Sequence, residues 1–138
     1  MLNFFNGTAT AMITPFSEDG SVNFAAFGRM IDYQIENGTD VLVILGTTGE
    51  PATMTEEEKE TVMRFSVEKV AGRAKIVFGS GSNCTATQVE KSIQYQDMGA
   101  DALLLIAPYY NKANPEGMYR HFATTADAVH IPCLLYNE

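Results

Sequence analysis

The feature that most constrains this chain is a regular alternation of short apolar segments with longer segments whose apolar residues recur every three or four positions. The short segments predict buried strands, and the longer ones predict amphipathic helices. The strands start about 30 residues apart, which is the length of one βα unit. Their predicted bounds are 8–14, 41–45, 75–78, 102–107 and 133–136. Because these runs are almost continuously apolar, we expect five parallel strands covered on both faces, in a barrel or a doubly wound sheet.

Capping residues at the ends of the amphipathic segments support this division. A polar side chain before a helix accepts from its first free N–H groups, and a glycine after it takes the left-handed conformation without steric cost. Gly38 and Gly99 are predicted to end two helices, and each leads directly into a strand. The predicted helix starts are Asn23, the capping box of Thr55 with Glu58, Thr85 with Gln88, and Asn114 followed by Pro115.

Length, charge and cysteine usage limit the class of protein. A chain of 138 residues, 46% of them apolar, is long enough for a single domain over residues 1–138. Its formal charge of −8, without clustered Lys and Arg, argues against a nucleic-acid partner. Cys84 and Cys133 show no CxxC spacing, and no secretory leader is evident, so we expect a cytoplasmic protein. The longest apolar run, 102–108, is too short to cross a membrane.

Unusual residues follow the carboxyl ends of the predicted strands, where chemistry gathers in parallel α/β folds. They are TPF at 14–16, GTTGE at 46–50, GSGSN at 79–83, PYYN at 108–111, and Tyr136 with Asn137. GTTGE groups the Thr47 and Thr48 hydroxyls with unpaired backbone N–H groups, which suits a small carboxylate or phosphate. The alternative is an ordinary tight turn in which both threonines bond their own backbone. GSGSN is more typical of a plain turn than of a site.

Three phenols near these strand ends suggest proton transfer. Tyr109 and Tyr110 lie in PYYN, and Tyr136 ends the last strand. With a usual pKa of about 10, a tyrosine works near neutral pH only in a hydrogen-bonded relay. The alternative is packing at an oligomer interface, which is more common for any single tyrosine. His121 and His130 have no second ligand at metal-binding spacing, so no metal site is predicted, and both are expected to be structural or exposed.

The order and spacing of TPF, GTTGE, PYYNK with a following EGMYRHF, and YN resemble the dihydrodipicolinate synthase family. The similarity runs from residue 7 to residue 137, and GTTGE and PYYN are its most specific elements. It implies a partial (β/α)8 TIM barrel. It also implies an enzyme without metal or cofactor, in which a lysine forms a Schiff base with pyruvate. The resulting enamine attacks aspartate semialdehyde, on the route to lysine and diaminopimelate.

The resemblance implies a role for each residue that matches the family pattern. Tyr136 is the principal acid/base residue, and Thr47 passes protons between phenols. Thr48, with Thr47 and the neighbouring backbone N–H groups, holds the pyruvate carboxylate. Tyr110 reaches across a dimer interface into the partner's site, and Tyr109 stacks at that interface. A homo-oligomer built from dimers is therefore expected.

The resemblance also bears on feedback inhibition by lysine. Asn83 and Tyr109 match residues of the effector site in family members that have one. Glu56, Lys59 and Thr87 stand where lysine-sensitive members tend to carry histidines and a glutamate. Weak or absent inhibition by lysine is therefore expected.

In the family, the Schiff-base lysine follows the YN motif, on the next strand. The lysines present are Lys59, Lys69, Lys75, Lys91 and Lys112. We expect all five to be exposed and none to lie at a carboxyl strand end, so that the chain alone is inactive or nearly so. Five strands also leave sheet edges open. We expect association with copies of the chain or with a complementary C-terminal half, or else rearrangement into an open sheet.

Three alternative functions remain. N-acetylneuraminate lyases, a related branch, typically have Ser at the position of Thr47 and lack PYYN, so the synthase is favoured. A non-catalytic half-barrel assembly module would use the PYYN segment at 108–111, the tyrosine loop, at a protein interface. It would bind an anion at GTTGE. A flavodoxin-like domain is disfavoured, because no Gly-rich loop follows the first strand.

Overall fold

A computed structural model of the protein describes residues 6–137. Backbone packing divides the chain into two compact units, Met1–Val77 and Phe78–Glu138. The third strand, Lys75–Gly79, contributes residues to both units. The single domain predicted from the sequence stays a prediction.

Strands and helices alternate along the described chain, and the fold is α/β. The strands are β1 Ala9–Ala11, β2 Val41–Ile44, β3 Lys75–Gly79, β4 Ala102–Ile106 and β5 Cys133–Tyr136. The helices are α1 Phe24–Glu36, α2 Glu56–Val70, α3 Thr85–Asp97 and α4 Pro115–Asp127, and short 3₁₀ turns lie at Thr47–Gly49 and Pro51–Thr53. The five parallel strands follow chain order in the sheet. The predicted partial (β/α)8 barrel is confirmed.

β1 is shorter than its predicted range of 8–14. Its three residues pair with β2 in parallel register, and the Met12 N–H still donates to the Val43 carbonyl at 2.9 Å. Beyond that point Pro15 has no N–H for a ladder, and the Thr14 side chain bonds to a turn instead. The other four strands end within one residue of their predicted ends.

Side-chain caps confirm three of the predicted helix starts. Asn23 and Asn114 each accept a hydrogen bond from the backbone N–H three residues further on, at 2.9 and 2.7 Å. Thr55 accepts from the Glu58 N–H at 3.2 Å, and the Thr55 N–H donates to the Glu58 carboxylate at 2.7 Å. These bonds satisfy N–H groups that a helix start otherwise leaves open.

The start of α3 differs from the other three. The helix begins at Thr85 as predicted, but the residue at the cap position is Cys84 rather than a hydroxyl or amide residue. Thr85 Oγ1 lies 2.8 Å from His121 Nδ1, and the buried Gln88 donates to Thr125 Oγ1 at 3.0 Å. The two polar residues that suggested a cap are therefore used in contacts between helices.

Gly38 and Gly99 end α1 and α3 in the same way. Their φ angles are +87° and +108°, a region that glycine enters without strain. In each case the glycine N–H donates to the carbonyl three residues back, and the following N–H donates to the carbonyl five residues back. This pair of hydrogen bonds is a Schellman motif. It ends the helix and leads the chain directly into the next strand.

Helices α1 and α2 of the first unit are joined by aromatic and ionic contacts. The Phe65 ring centre lies 5.0 Å from that of Phe24 and 6.0 Å from that of Phe27. Asp32 Oδ2 accepts from the Lys69 ammonium at 2.6 Å. The hydrogen bond from Lys69, supported by a second from a nearby arginine, holds the pKa of Asp32 below its usual value.

The outer strands are less buried than the central ones. Most residues of β2, β3 and β4 are buried, whereas β1 and β5 contain no buried residue. Leu135 of β5 is 58% exposed. The exposure of residues on β1 and β5 agrees with the expectation of open sheet edges. No helix within residues 6–137 is both long and apolar enough to cross a membrane.

Candidate active site

The GTTGE segment forms a 3₁₀ turn directly after β2. Thr47–Gly49 makes the turn, and the Glu50 N–H closes it on the Thr47 carbonyl at 3.1 Å. Leu45 before the turn and Glu50 after it have φ angles of +56° and +58°. Side chains other than glycine rarely adopt this region, and such residues concentrate at functional sites. The chain is therefore held in an uncommon conformation on both sides of the two threonines.

The hydroxyl and N–H donors of Thr47 and Thr48 have no hydrogen-bond partner in the part of the chain that the structure describes. Thr47 and Thr48 are exposed, and within residues 6–137 neither hydroxyl makes a hydrogen bond. Within the same range, their backbone N–H groups have no acceptor. The alternative of a tight turn in which both threonines bond their own backbone is therefore wrong. Two hydroxyls and two N–H groups on one short turn suit a small anion.

Thr14 holds this turn against the end of β1. Its hydroxyl donates to the Gly49 carbonyl at 2.8 Å, and the side chain is buried. A Cβ at Gly49 would lie 3.3 Å from the Met12 carbonyl oxygen and 3.4 Å from Thr14 Oγ1, so glycine allows this close approach. Sequence reasoning placed TPF at a strand end but gave Thr14 no role. The available signal was a hydroxyl residue before proline, where the strand can no longer pair.

The PYYN segment forms a tight turn that projects a phenol. Tyr110 has a φ angle of +70°, and the Asn111 N–H donates to the Tyr109 carbonyl at 2.9 Å, which makes a γ-turn. Tyr109 is 50% exposed and Tyr110 is 94% exposed. The Asn83 amide donates to the Tyr109 carbonyl at 3.3 Å. Asn83 and Tyr109, the predicted effector and interface residues, are thus brought together through a backbone carbonyl rather than through the phenol.

Tyr136 is the last residue of β5 and is half-buried. It stands opposite Ile106 in the parallel register of β4 and β5. The Ala107 N–H, one residue past β4, donates to the Tyr136 carbonyl at 2.8 Å. The backbone that carries Tyr136 is therefore bonded to the segment that leads into the tyrosine loop.

The predicted exposure of all five lysines is wrong for three of them. The Lys59 side chain is only 11% exposed and binds Glu56 at 2.8 Å. Lys69 is 34% exposed and pairs with Asp32, and Lys91 is half-buried. The error arose because a lysine stem packs along apolar surface while its ammonium keeps a polar partner. None of the five is the last residue of a strand, since Lys75 opens β3 and the others lie in helices or a loop.

The two histidines and the residues around them were candidates for a metal site. Within residues 6–137, no group of three His, Cys, Asp or Glu side chains could hold a metal ion. His121 is buried and hydrogen-bonded, so it is structural, and His130 is exposed.

The two cysteines are free and differ in their environment. Hydrogen bonds from the side chain and backbone of Thr87 lower the pKa of Cys84, whereas burial raises the pKa of Cys133. Cys84 is therefore the better nucleophile of the two.

Comparison with known proteins gives one consistent result. Residues 4–138 match the model of the Dihydrodipicolinate synthetase family. The 4-hydroxy-tetrahydrodipicolinate synthase of Parabacteroides distasonis is 50% identical over 131 residues, which cover 95% of this chain and 44% of that protein. The crystal structure of dihydrodipicolinate synthase from Aquifex aeolicus superposes with a TM-score of 0.92 at 44% identity, covering 97% of this chain and 45% of that one.

A third comparison concerns a relative with a bound ligand. The chloride-inhibited dihydrodipicolinate synthase of Acinetobacter baumannii, in complex with pyruvate, superposes with a TM-score of 0.93 at 39% identity, covering 96% of this chain and 45% of that one. The present chain thus spans about half the length of the relatives that it matches.

Proposed function

Because the chain belongs to the dihydrodipicolinate synthetase family, we propose that it supplies the N-terminal part of an enzyme that condenses pyruvate with aspartate semialdehyde. The reaction is that of 4-hydroxy-tetrahydrodipicolinate synthase, in lysine and diaminopimelate biosynthesis in the cytoplasm. The observation that supports it best is the turn after β2, where Thr47 and Thr48 expose hydroxyl and N–H donors that have no partner within residues 6–137. A carboxylate needs donors of this kind, and pyruvate is a small carboxylate.

In this proposal the turn after β2 binds the pyruvate carboxylate, and the tyrosine hydroxyls transfer protons. Thr48, with Thr47 and the backbone N–H groups, holds the pyruvate carboxylate. Tyr136 is the acid/base residue, and Thr47 relays protons between phenols. Tyr110 acts in the site of a partner copy, and its 94% exposure on a projecting turn suits that use. The functional form is then a homo-oligomer built from dimers, with Tyr109 at the interface.

The nucleophile in this proposal comes from the C-terminal part of the barrel. A Schiff-base lysine must be neutral and enclosed to attack a carbonyl. The Lys59 side chain is only 11% exposed, but its ammonium is held by Glu56 at 2.8 Å. The chain alone should therefore not form the Schiff base.

The ion pair of Lys59 with Glu56 also supports weak inhibition by lysine. In the proposed effector region, these two charges already satisfy each other, so a free ammonium group gains little from Glu56. Asn83 likewise donates its amide to the chain's own Tyr109 carbonyl. Titration of the assembled enzyme with lysine tests this, and half-inhibition at micromolar concentration would contradict it.

The test is to mix this chain with the C-terminal half of the Parabacteroides distasonis synthase and to measure condensation of pyruvate with aspartate semialdehyde. Borohydride should trap pyruvate on the added half and leave this chain unmodified. Thr48→Val should raise the KM for pyruvate, whereas the matched control Thr48→Ser keeps the hydroxyl and should not. A borohydride adduct on this chain alone would contradict the assignment of the nucleophile.

Two alternatives are outcomes of the same experiment. Cleavage of N-acetylneuraminate, without condensation of aspartate semialdehyde, would assign the chain to the lyase type. A stable assembly without either activity would favour the non-catalytic module, for which the exposed Leu135 on the edge strand β5 is the supporting observation.

A further inference from the structure

His121 of α4 is buried, and each of its two ring nitrogens has a hydrogen-bond partner. The residue is 3% exposed. Its Nδ1 lies 2.8 Å from Thr85 Oγ1 at the start of α3, and its Nε2 lies 3.2 Å from the Ile106 carbonyl oxygen at the end of β4. One imidazole therefore joins a helix start to a strand end.

The hydrogen-bond partners assign the tautomer of this imidazole. A backbone carbonyl only accepts, so Nε2 carries the proton that it donates to Ile106. In the neutral ring Nδ1 then accepts, and the Thr85 hydroxyl is its donor. A buried ring with both nitrogens occupied has no free position for substrate, so His121 is not itself a catalytic acid or base.

The strand end that His121 holds is the junction for two of the proposed catalytic tyrosines. Ile106 stands opposite Tyr136, and the next N–H, that of Ala107, donates to the Tyr136 carbonyl at 2.8 Å. The chain then runs through one proline into Tyr109 and Tyr110. A displacement of the Ile106 peptide would therefore move both the loop and the end of β5.

A second contact fixes the opposite side of the same peptide. A Cβ at Gly81 would lie 2.5 Å from Ile106 Cγ2 and 2.8 Å from the Ile106 nitrogen, so the backbone after β3 packs directly on this residue. Ile106 is thus held on its amide side by Gly81 and on its carbonyl side by His121. The hydrogen bond adds a direction to this packing, because it requires the carbonyl to point toward Nε2.

We propose that His121 is a positioning residue, which orients the Ile106 carbonyl and thereby sets the approach of Tyr110 and Tyr136 to the site. Its effect on turnover rests on the proposed function. Its effect on the strand end does not, and the two are measured separately.

The strand end is tested by amide hydrogen exchange in the 138-residue chain. The Ala107 N–H reports the bond to Tyr136, and the Leu103 N–H, bonded to the Pro132 carbonyl at 2.9 Å, serves as the reference at the other end of β4. His121→Leu should raise the exchange rate of Ala107 about tenfold relative to Leu103, the effect of losing one buried hydrogen bond. His121→Gln, whose amide can still donate to Ile106, should restore most of the protection.

One further pair of variants and one control variant keep the test decisive. Thr85→Val removes the partner of Nδ1 and should raise Ala107 exchange about threefold, while Thr85→Ser keeps the hydroxyl and should leave it unchanged. If His121→Leu does not fold, this pair decides alone. Thr125→Val is the matched control, because it removes the buried hydrogen bonds of the Thr125 hydroxyl to Gln88 and to the His121 backbone carbonyl, one helical turn along α4, and leaves the imidazole and both of its partners in place. The proposal is overturned if Thr125→Val exposes Ala107 as strongly as His121→Leu, or if Ala107 and Leu103 always change together.

Turnover is measured in the assembly with the C-terminal half. His121→Leu should lower kcat while the KM for pyruvate changes less than twofold, because the carboxylate is held by the turn after β2. A rise in KM with unchanged kcat would overturn the positioning role. An inactive wild-type assembly would refute the proposed function and leave the exchange experiment to judge His121.

Discussion

Replacing Thr14 with valine should loosen the turn that carries Thr47 and Thr48. Valine has nearly the shape of threonine, so the change removes the hydroxyl and leaves the packing almost intact. The lost bond joins Thr14 Oγ1 to the Gly49 carbonyl at 2.8 Å. Thr14 is 7% exposed, so little water can replace the missing donor.

The size of the effect follows from the buried carbonyl that Thr14→Val leaves without a donor. Such a group costs about 1–3 kcal/mol of unfolding free energy. Thr14→Ser keeps the hydroxyl and loses one methyl group, which costs about 0.8 kcal/mol. The two variants separate the hydroxyl from the methyl group, because each removes only one of these groups from the same side chain.

Urea denaturation of the wild type and both variants measures this difference. Thr14→Val should unfold at a clearly lower urea concentration than Thr14→Ser, with the same dependence of free energy on urea. In the assembly with the C-terminal half, Thr14→Val should also raise the KM for pyruvate. The reasoning is refuted if valine is tolerated as well as serine, since the hydroxyl would then not hold the turn.

Three further predictions test the helices and the thiols. Asp32→Asn should lower the urea midpoint near neutral pH. The difference in midpoint from wild type should vanish as the pH falls below about 3.9 and through the lowered folded-state pKa of Asp32, because the carboxylate then becomes protonated. A difference in midpoint that persists in acid would contradict the role of Lys69. Asn114→Ala should cost about 1 kcal/mol in thermal unfolding, and Asn114→Ser much less; equal losses would exclude the cap. Iodoacetamide should modify Cys84 before Cys133, as followed by mass spectrometry, because only the thiolate reacts; the reverse order would show that exposure and hydrogen bonds do not control the reaction.

The parts of the fold that the sequence predicted well are those fixed by neighbouring residues. A cap such as Asn114 acts on a backbone N–H only three positions away, and Gly38 ends its helix through bonds within the last turn. The bounds of β1 were less certain, because a strand's length depends on its partner. Met12 and Ile13 are apolar enough to continue the strand, but pairing with β2 stops at Met12.

The candidate site shows the same limit. The sequence identified Thr47, Thr48 and Tyr110 because their residue types are unusual at strand ends. It missed the support of Thr14, whose partner lies 35 positions away. It also left open whether His121 was exposed or structural, since its partners come from a helix start and a strand end that only the fold brings together.

The left-handed conformation of Leu45 has a consequence for how a ligand would bind. A leucine pays about 1–2 kcal/mol to adopt this region, and its side chain is 2% exposed, so burial holds the strained backbone in place. An arriving keto acid would then find its donors already preorganised, with little loop entropy left to lose on binding. The affinity for so small a ligand depends on this low entropy cost, because pyruvate has too few atoms to compensate for the ordering of a flexible loop.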